Sequence, residues 1–456
     1  MIIRRKICPE DKSVIYKYFI CWTLLMLCFL TSSELFMAGF IAVSAVLLAV
    51  SSKDEALYLI FALVSLSSAV SLAPRYQTSL FGILIVIYIM RNLAGIRLHK
   101  RTALLYALLA IYMISGLRPG QSSLLSDIKT IVNYSLLLIF ALAFEREQWI
   151  RLFDFYIWGH VCAALLAVIA GGSARLGQAI EIDTAVVGEI EVRRFSGLDM
   201  DTNFFAVNCA FIIACLLFFL CSRGLKDISK KKIMTFTGIY FILGIMTFSK
   251  MFIVALGFAA FYYYMTNLQR KLARLILWSV LGISLFLMVN MYTNGAAVTL
   301  FFGRFTNPAR DYGSVMNTLT TGRYVIWTAY VKDWLSDLGK ILFGSGMAYK
   351  RLPEFKMHHQ TYIEILYQFG IIGSVLFLSY IYSVFGMVRR NRMPRFTRPG
   401  NIRFIALFTA ALCGLSLGLF AIDYTIPLLF LSFIMTAGGY TDMPDGEMTE
   451  KREESG

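Results

Sequence analysis

The chain has 456 residues, 58% apolar and 16% charged, with 43 basic against 28 acidic side chains and a formal net charge of +15. Globular soluble chains run near 45–50% apolar and about 25% charged, so an ordinary soluble enzyme is excluded, and 37 Phe with 24 Tyr exclude disorder as well. A mean hydropathy of +0.67, with the apolar residues arriving in long runs, makes a bilayer the expected solvent.

A transmembrane helix needs about 20 mostly apolar residues, with about 17 tolerated. In chain order such runs lie at 16–31, 34–51, 55–73, 77–96, 102–117, 129–144, 152–171, 203–221, 233–249, 250–266, 273–292, 362–387, 403–421 and 424–438. The pairs at 16–51, 233–266 and 403–438 are tight hairpins, with turns expected at Ser32-Ser33-Glu34, Ser249-Lys250 and Ile422-Asp423. A re-entrant pair is the alternative for any of them, so the expected fold class is an all-α, polytopic integral membrane protein with about 12–14 transmembrane helices. It divides into N-terminal transmembrane helices over 1–171, an outer loop over 172–202 and transmembrane helices over 203–292. A large outer loop with an interfacial helix follows over 293–361, then C-terminal transmembrane helices over 362–438 and a cytoplasmic polar tail over 439–456. The whole is a single membrane domain.

Cytoplasmic loops retain Lys and Arg, which sets the orientation. With the N-terminus inside, the inner face collects Arg4, Arg5, Lys6, Lys12 and Lys17, then Arg97, Lys100 and Arg101. Later it gathers Lys230, Lys231, Lys232, Arg389, Arg390 and Arg392. The short outer loops hold little beyond Arg75, Arg118 and Lys129. Both termini are therefore expected in the cytoplasm, the basic surplus is topological, and nucleic acid is not an expected partner. The basic N-terminus mimics a signal peptide, but no small-residue cleavage site follows Phe29 and another span begins at once, which reads as a retained first span.

None of the eight cysteines (8, 21, 28, 162, 209, 215, 221 and 413) falls in an outer loop, and none forms a CxxC pair, so they read as packing residues. The long segments 172–202 and 293–361 both face outward in this topology, and long loops in compact proteins are usually functional.

Chemistry is expected from ionisable groups at the outer ends of spans and in those loops. Arg193-Arg194-Phe195-Ser196-Gly197 closes a stretch, Glu189 to Arg193, whose alternation suggests a short strand. The bland reading is that the arginines pair with acids in a solvated loop; against it, Gly197 permits a turn that aims Arg194 inward. Thr321-Gly322-Arg323 opens a helix with Tyr324, Trp327, Val331, Trp334 and Leu338 on one stripe, as for a helix lying in the membrane interface. Such a stripe is often only packing. Arg323, however, stands in the first turn, where N–H groups and the helix dipole favour an anion and a guanidinium grips phosphate bidentately. Next, the run from Lys356 through His358-His359-Gln360 to Glu364 lies at the mouth of the following span. With no third His or Cys nearby, zinc is not expected. His359 reads either as a hydrogen-bonded interfacial residue or as a general base. Lys250, after Thr247-Phe248-Ser249, either snorkels or meets an anion. His160, in mid-span, is expected to be a packed polar contact, and His99 lies in a basic inner loop. One face thus carries several cations and a plausible base, which suits a membrane-anchored diphosphate.

At these residues the sequence resembles the bacterial O-antigen polymerase and O-antigen ligase family. The resemblance rests on Arg194-Phe-Ser-Gly followed by Asn203, on Thr-Phe-Ser249-Lys250, and on Thr-Gly-Arg323 with Trp327. It continues through Leu342-Phe-Gly344-Ser-Gly346 and His359-Gln-Thr-Tyr-Ile-Glu364 to Gly370-Ile-Ile-Gly373, covering roughly 190–390. It implies a GT-C-like fold and a metal-independent, inverting glycosyltransferase without cofactors. The substrate would be undecaprenyl diphosphate-linked oligosaccharide, at the outer face of a bacterial cytoplasmic (inner) membrane. Arg194, Arg323 and Lys250 would bind the donor diphosphate, His359 would activate the acceptor hydroxyl, and Arg193, Gln360 and Glu364 would support them. Besides the lipid bilayer, chain-length regulators and flippases are the expected partners. Lys250 and Gln360 depart from the Arg and Asn that the family pattern leads one to expect: Lys keeps the charge without the planar fork, and Gln keeps the amide.

The leading expectation is polymerisation of O-antigen, capsule or exopolysaccharide repeat units. Ligase-type transfer of a glycan to a lipid or protein uses the same chemistry with another acceptor. From a different class, a lipid-linked oligosaccharide flippase would carry repeated halves and charges near the bilayer midplane, and a non-catalytic sensor or scaffold would need none of the clusters.

Overall fold

The computed structural model describes residues 8–67, 69, 80–92, 99–115, 124–143, 148–171, 184–187, 190–198, 201–221, 229–266, 291, 317, 320, 322–346, 360–390, 396–397, 400–415, 426–437 and 440–441. Its elements in chain order are α1 (Pro9–Thr31), α2 (Glu34–Val50), α3 (Lys53–Ser67), α4 (Leu80–Asn92), α5 (Lys100–Ile114), α6 (Leu124–Ala143) and α7 (Trp149–Gly171). Strands β1 (Thr184–Val187) and β2 (Ile190–Arg193) precede α8 (Thr202–Cys221), α9 (Lys230–Met246), α10 (Lys250–Thr266), α11 (Arg323–Leu335), α12 (Leu338–Phe343) and α13 (Thr361–Arg390). Then come β3 (Phe396–Thr397), a 3-10 turn at Gly400–Phe404, α14 (Ile405–Gly414), α15 (Ile426–Ala437) and β4 (Tyr440–Thr441). The architecture is helical, and strand structure among the described residues is confined to the β1–β2 and β3–β4 ladders.

Among the described residues four helices are long and apolar enough to cross a membrane: Pro9–Thr31, Trp149–Ala170, Thr202–Cys221 and Thr361–Arg389. Shorter apolar helices accompany them, and large apolar side chains such as Ile20, Leu35, Val46, Ile242, Val375 and Leu378 face outward, as a lipid-facing surface requires. By length and composition this is a membrane protein. Every stretch read as a span carries a helix except 273–292, which lies outside the described residues but for Met291. Of the two hairpin turns that are described, the first falls where expected and the second lies slightly earlier than Ser249-Lys250, with Lys250 already in α10. Ser32 is left-handed at φ 55 between α1 and α2, and Thr247-Phe248-Ser249 separates α9 from α10. The turn at Ile422-Asp423 lies outside the described residues.

Helix α8 is the hub. It is apolar all round and almost wholly buried, which marks a helix surrounded by others, and it packs against α9, α10 and α14. Phe205 on α8 stacks on His160 of α7, with centroids 5.1 Å apart, and Tyr240 of α9 packs on a second side. Neither ring nitrogen of His160 has a hydrogen-bond partner among the described residues. The expected packed polar contact is therefore an aromatic one. All eight cysteines are free thiols.

Helix α13 corrects the reading of 362–387 as one uninterrupted span. It is broken at Gly370, which adopts φ 60 and ψ −170. A break in an apolar setting strands carbonyls that water cannot reach. Here each of the last three carbonyls has a donor. Ser345 N donates to Tyr367 O at 2.7 Å and Gly346 N to Gln368 O at 3.1 Å. The Tyr112 hydroxyl of α5 lies 2.8 Å from Phe369 O and 2.7 Å from Phe343 O, sharing its proton between them. The piece from Ile371 to Arg390 is by itself long enough to span. Tyr112→Phe is expected to lower stability by about 1–2 kcal/mol, read as a reduced thermal midpoint in detergent; an unchanged midpoint would show that the two carbonyls need no shared donor.

Candidate functional site

The site is built around the segment after β2. Strands β1 and β2 pair antiparallel from Thr184↔Arg193 to Val187↔Ile190, so the alternation read from 189–193 is a strand of a tight hairpin. The backbone of Arg193 ends it; the Arg193 side chain lies outside the description. Directly afterwards Phe195 N donates to Met246 O at 3.0 Å, tying the loop to the C-terminal end of α9. Gly197, at φ +61, then turns the chain over Phe205, where a Cβ would stand 2.5 Å from the ring. The expected inward turn is present.

Its result is that Arg194 is buried, at 9% exposure. Its Nε donates to Thr247 O at 2.9 Å and its Nη2 to Asn203 Oδ1 at 3.2 Å. Ser249 Oγ donates to the same Oδ1 at 3.0 Å. The 247–249 turn is itself fixed: Thr247 Oγ1 donates to Gly244 O at 2.6 Å and accepts from Ser249 N at 3.2 Å. Phe248 sits at φ 48, a left-handed conformation costly for a bulky residue, and such strain concentrates at functional sites. Lys250, partly buried, opens α10 one residue beyond Ser249. Arg194 and the Lys250 turn, far apart in sequence, are thus joined through Asn203.

Arg323 opens α11 as expected, with Gly322 before it at φ 81. Burial lowers the guanidinium's pKa, and the carboxylate of Asp201 opposes that shift. Asp201 also accepts from Asn203 N at 2.6 Å, capping α8. The first turn of α11, however, does not offer all the N–H groups expected of it. Tyr324 N donates to Thr320 Oγ1 at 3.0 Å and Val325 N to Asn317 Oδ1 at 3.1 Å. The helix terminus is therefore partly engaged by its own side-chain caps, which leaves the Arg323 guanidinium as the cationic group of that turn.

The expected stripe on α11 needs correction too. The helix stops at Leu335, and Leu338 belongs to α12, started by Asp337, whose Oδ1 accepts from Gly339 N and Lys340 N. The buried residue of α11 is Tyr330, outside the stripe, edge-on to Tyr367 of α13 at 4.9 Å. Tyr367 donates to Asp333 Oδ2 at 2.8 Å, and Lys340 pairs with Asp333 Oδ1 at 2.8 Å. These contacts lock α11 and α12 onto the first half of α13.

That half-helix carries the last cluster. Gln360 Oε1 accepts from Ile363 N at 2.9 Å, so this amide caps α13, and buried Glu364 accepts from Gln368 Nε2 at 3.2 Å. Both bonds stay within their own helix, and none of the described bonds joins them to Arg194. His359 lies outside the described residues. Sequence reasoning missed Tyr112 and the break at Gly370, and left Asp201 and Asn203 without a task. The signal for Asp201 was an acidic residue just ahead of the apolar run that starts at 203, the mark of a helix cap.

Compared with known proteins, the chain matches no family model, no curated protein and no solved structure.

Proposed function

We propose that the protein is a polytopic membrane glycosyltransferase of GT-C-like architecture that polymerises undecaprenyl diphosphate-linked repeat units of O-antigen, capsule or exopolysaccharide. The reaction takes place at the outer face of a bacterial cytoplasmic membrane. The observation that carries this reading is the convergence of Arg194, Asn203 and the turn that precedes Lys250 at the adjoining ends of α8, α9 and α10, with Arg323 within electrostatic reach of Asp201. Cations drawn from separate segments and gathered at helix ends suit a diphosphate at a membrane surface. A flippase would place such charges near the midplane.

In this reading His359 takes the proton of the acceptor hydroxyl while that oxygen attacks the anomeric carbon of the donor glycan. The anomeric carbon–oxygen bond to the diphosphate breaks, and its electron pair leaves on the diphosphate, whose charge Arg194, Arg323 and Lys250 neutralise. Attack from the face opposite the leaving group inverts the anomeric centre. Gln360 and Glu364 support the base from α13, and Arg193 supports Arg194.

The test is purified protein supplied with lipid-linked repeat units. His359→Ala is expected to lose chain extension by about 100-fold or more, as removal of a general base does, and retained extension overturns the base assignment. For the wild type, a ladder of products supports polymerisation and a single transfer step supports the ligase alternative. Relocation of substrate without a new bond supports a flippase and sinks the enzyme reading.

A further inference from the structure

Asn203 belongs to the segment that positions Arg194, yet its own side chain is only half engaged. Its Oδ1 accepts from two donors, Arg194 Nη2 at 3.2 Å and Ser249 Oγ at 3.0 Å. A guanidinium has donors and no acceptor, so the amide atom facing Arg194 can only be the oxygen. The usual ambiguity between amide oxygen and nitrogen does not arise at this residue. With both lone-pair directions of Oδ1 occupied, Nδ2 and its two N–H groups are turned away from Arg194 and Ser249. The backbone N–H of Asn203 is already held by Asp201 Oδ1 at 2.6 Å. Among the described residues nothing accepts from Nδ2. The side chain is only partly buried, and Nδ2 is not one of the sealed polar atoms without a partner.

We propose that Asn203 is a further substrate-binding residue, its Nδ2 donating to an oxygen of the diphosphate that Arg194 holds; this rests on the diphosphate reading above. The surrounding chemistry selects the ligand atom. Arg194 and Asn203 Nδ2 present donors, which complements a group whose oxygens only accept. A sugar hydroxyl brings a donor of its own and fits the carboxylate of Asp201 better. The arrangement also explains why an asparagine stands where a smaller polar residue would suffice to cap Arg194: its oxygen orients the arginine while its nitrogen reaches the ligand.

Asn203→Asp separates these two tasks. The carboxylate keeps an oxygen for Arg194 and Ser249, replaces the donor with an acceptor, and sets a negative charge against the diphosphate. Binding of farnesyl diphosphate to the purified full-length protein in detergent, with farnesol as the uncharged control, reads the result. Asn203→Asp is expected to keep the thermal midpoint of the unliganded protein while binding the diphosphate about 10- to 100-fold more weakly. Should Asn203→Asp fail to fold, Asn203→Ala, which adds no charge, is expected to bind about 10-fold more weakly. Binding within twofold of wild type by a folded variant overturns the role of Asn203 and leaves the diphosphate reading standing. If the wild type binds farnesyl diphosphate no better than farnesol, that reading falls and this inference with it.

Discussion

Gly370→Ala is expected to destabilise the protein by about 3 kcal/mol or more, the size seen when a special backbone conformation and a backbone clash coincide. Gly370 has φ 60, and an added Cβ would stand 2.4 Å from Gly344 N and 2.5 Å from Leu342 O. Both are backbone atoms, so no side-chain rotation relieves the contact. Gly344 mirrors the situation at φ +76, its Cβ position 2.4 Å from Gln368 O. The two glycines meet back to back, and that approach lets Ser345 N and Gly346 N reach the carbonyls stranded by the break. Separating the chains by one methyl group leaves those carbonyls unsatisfied in an apolar setting, where each costs several kcal/mol. Gly386, lower on the same helix, is the control: nothing lies within 4 Å of its Cβ position. Gly386→Ala is expected to be neutral or stabilising by about 0.5–1 kcal/mol. Thermal unfolding and size-exclusion profiles of both variants in detergent make the comparison. Equal stability of Gly370→Ala and wild type would refute the back-to-back packing.

The contrast between these glycines shows which features the sequence revealed. Apolar runs announced the helices because burial and lipid contact both select composition, a signal summed over many residues. The turns at Ser32-Ser33 and Thr247-Ser249 were readable because polar residues interrupt those runs. Arg194 turned inward as its neighbouring Gly197 suggested, and the strand at 190–193 followed from alternation. The break at Gly370 was hidden, because a glycine inside an apolar stretch reads the same whether it packs closely or reverses its φ. Its partner strap at 344–346 lies in another loop, and no local pattern reports which loop supplies the missing donors. The electrostatic coupling of Asp201 to Arg323 is tertiary in the same sense, whereas the capping of α11 by Thr320 and Asn317 is local, reaching back a few residues only. The α11 stripe misled because helical spacing continues formally through Leu338, whereas Asp337 had already capped a new helix.

In the proposed reaction Arg194 carries the largest expected effect on activity, and its structural role and the phosphate-binding role proposed for it predict different behaviour for two substitutions. Structurally it joins Thr247 O to Asn203 Oδ1, but Ser249 also donates to Asn203 and Thr247 is bonded to Gly244, so the turn survives without it. Arg194→Ala is therefore expected to cost only about 1–3 kcal/mol of stability. Its effect on chain extension is expected to be about 10²- to 10³-fold, the loss typical when a donor aimed at developing charge is removed. Arg194→Lys sharpens the point. The ammonium keeps the charge but lacks the planar fork, so it does not hold Thr247 O and Asn203 Oδ1 while also gripping a phosphate bidentately. Near-normal stability with an activity loss close to that of alanine is the expected signature, measured as thermal midpoint and as rate of repeat-unit incorporation on the same preparations. Wild-type rates in Arg194→Lys would mean that a point charge suffices, which would also make Lys250, a lysine already beside the turn, an adequate phosphate ligand. Wild-type rates in Arg194→Ala would remove Arg194 from the chemistry, leaving it as the tie between the loop after β2 and the α9–α10 turn.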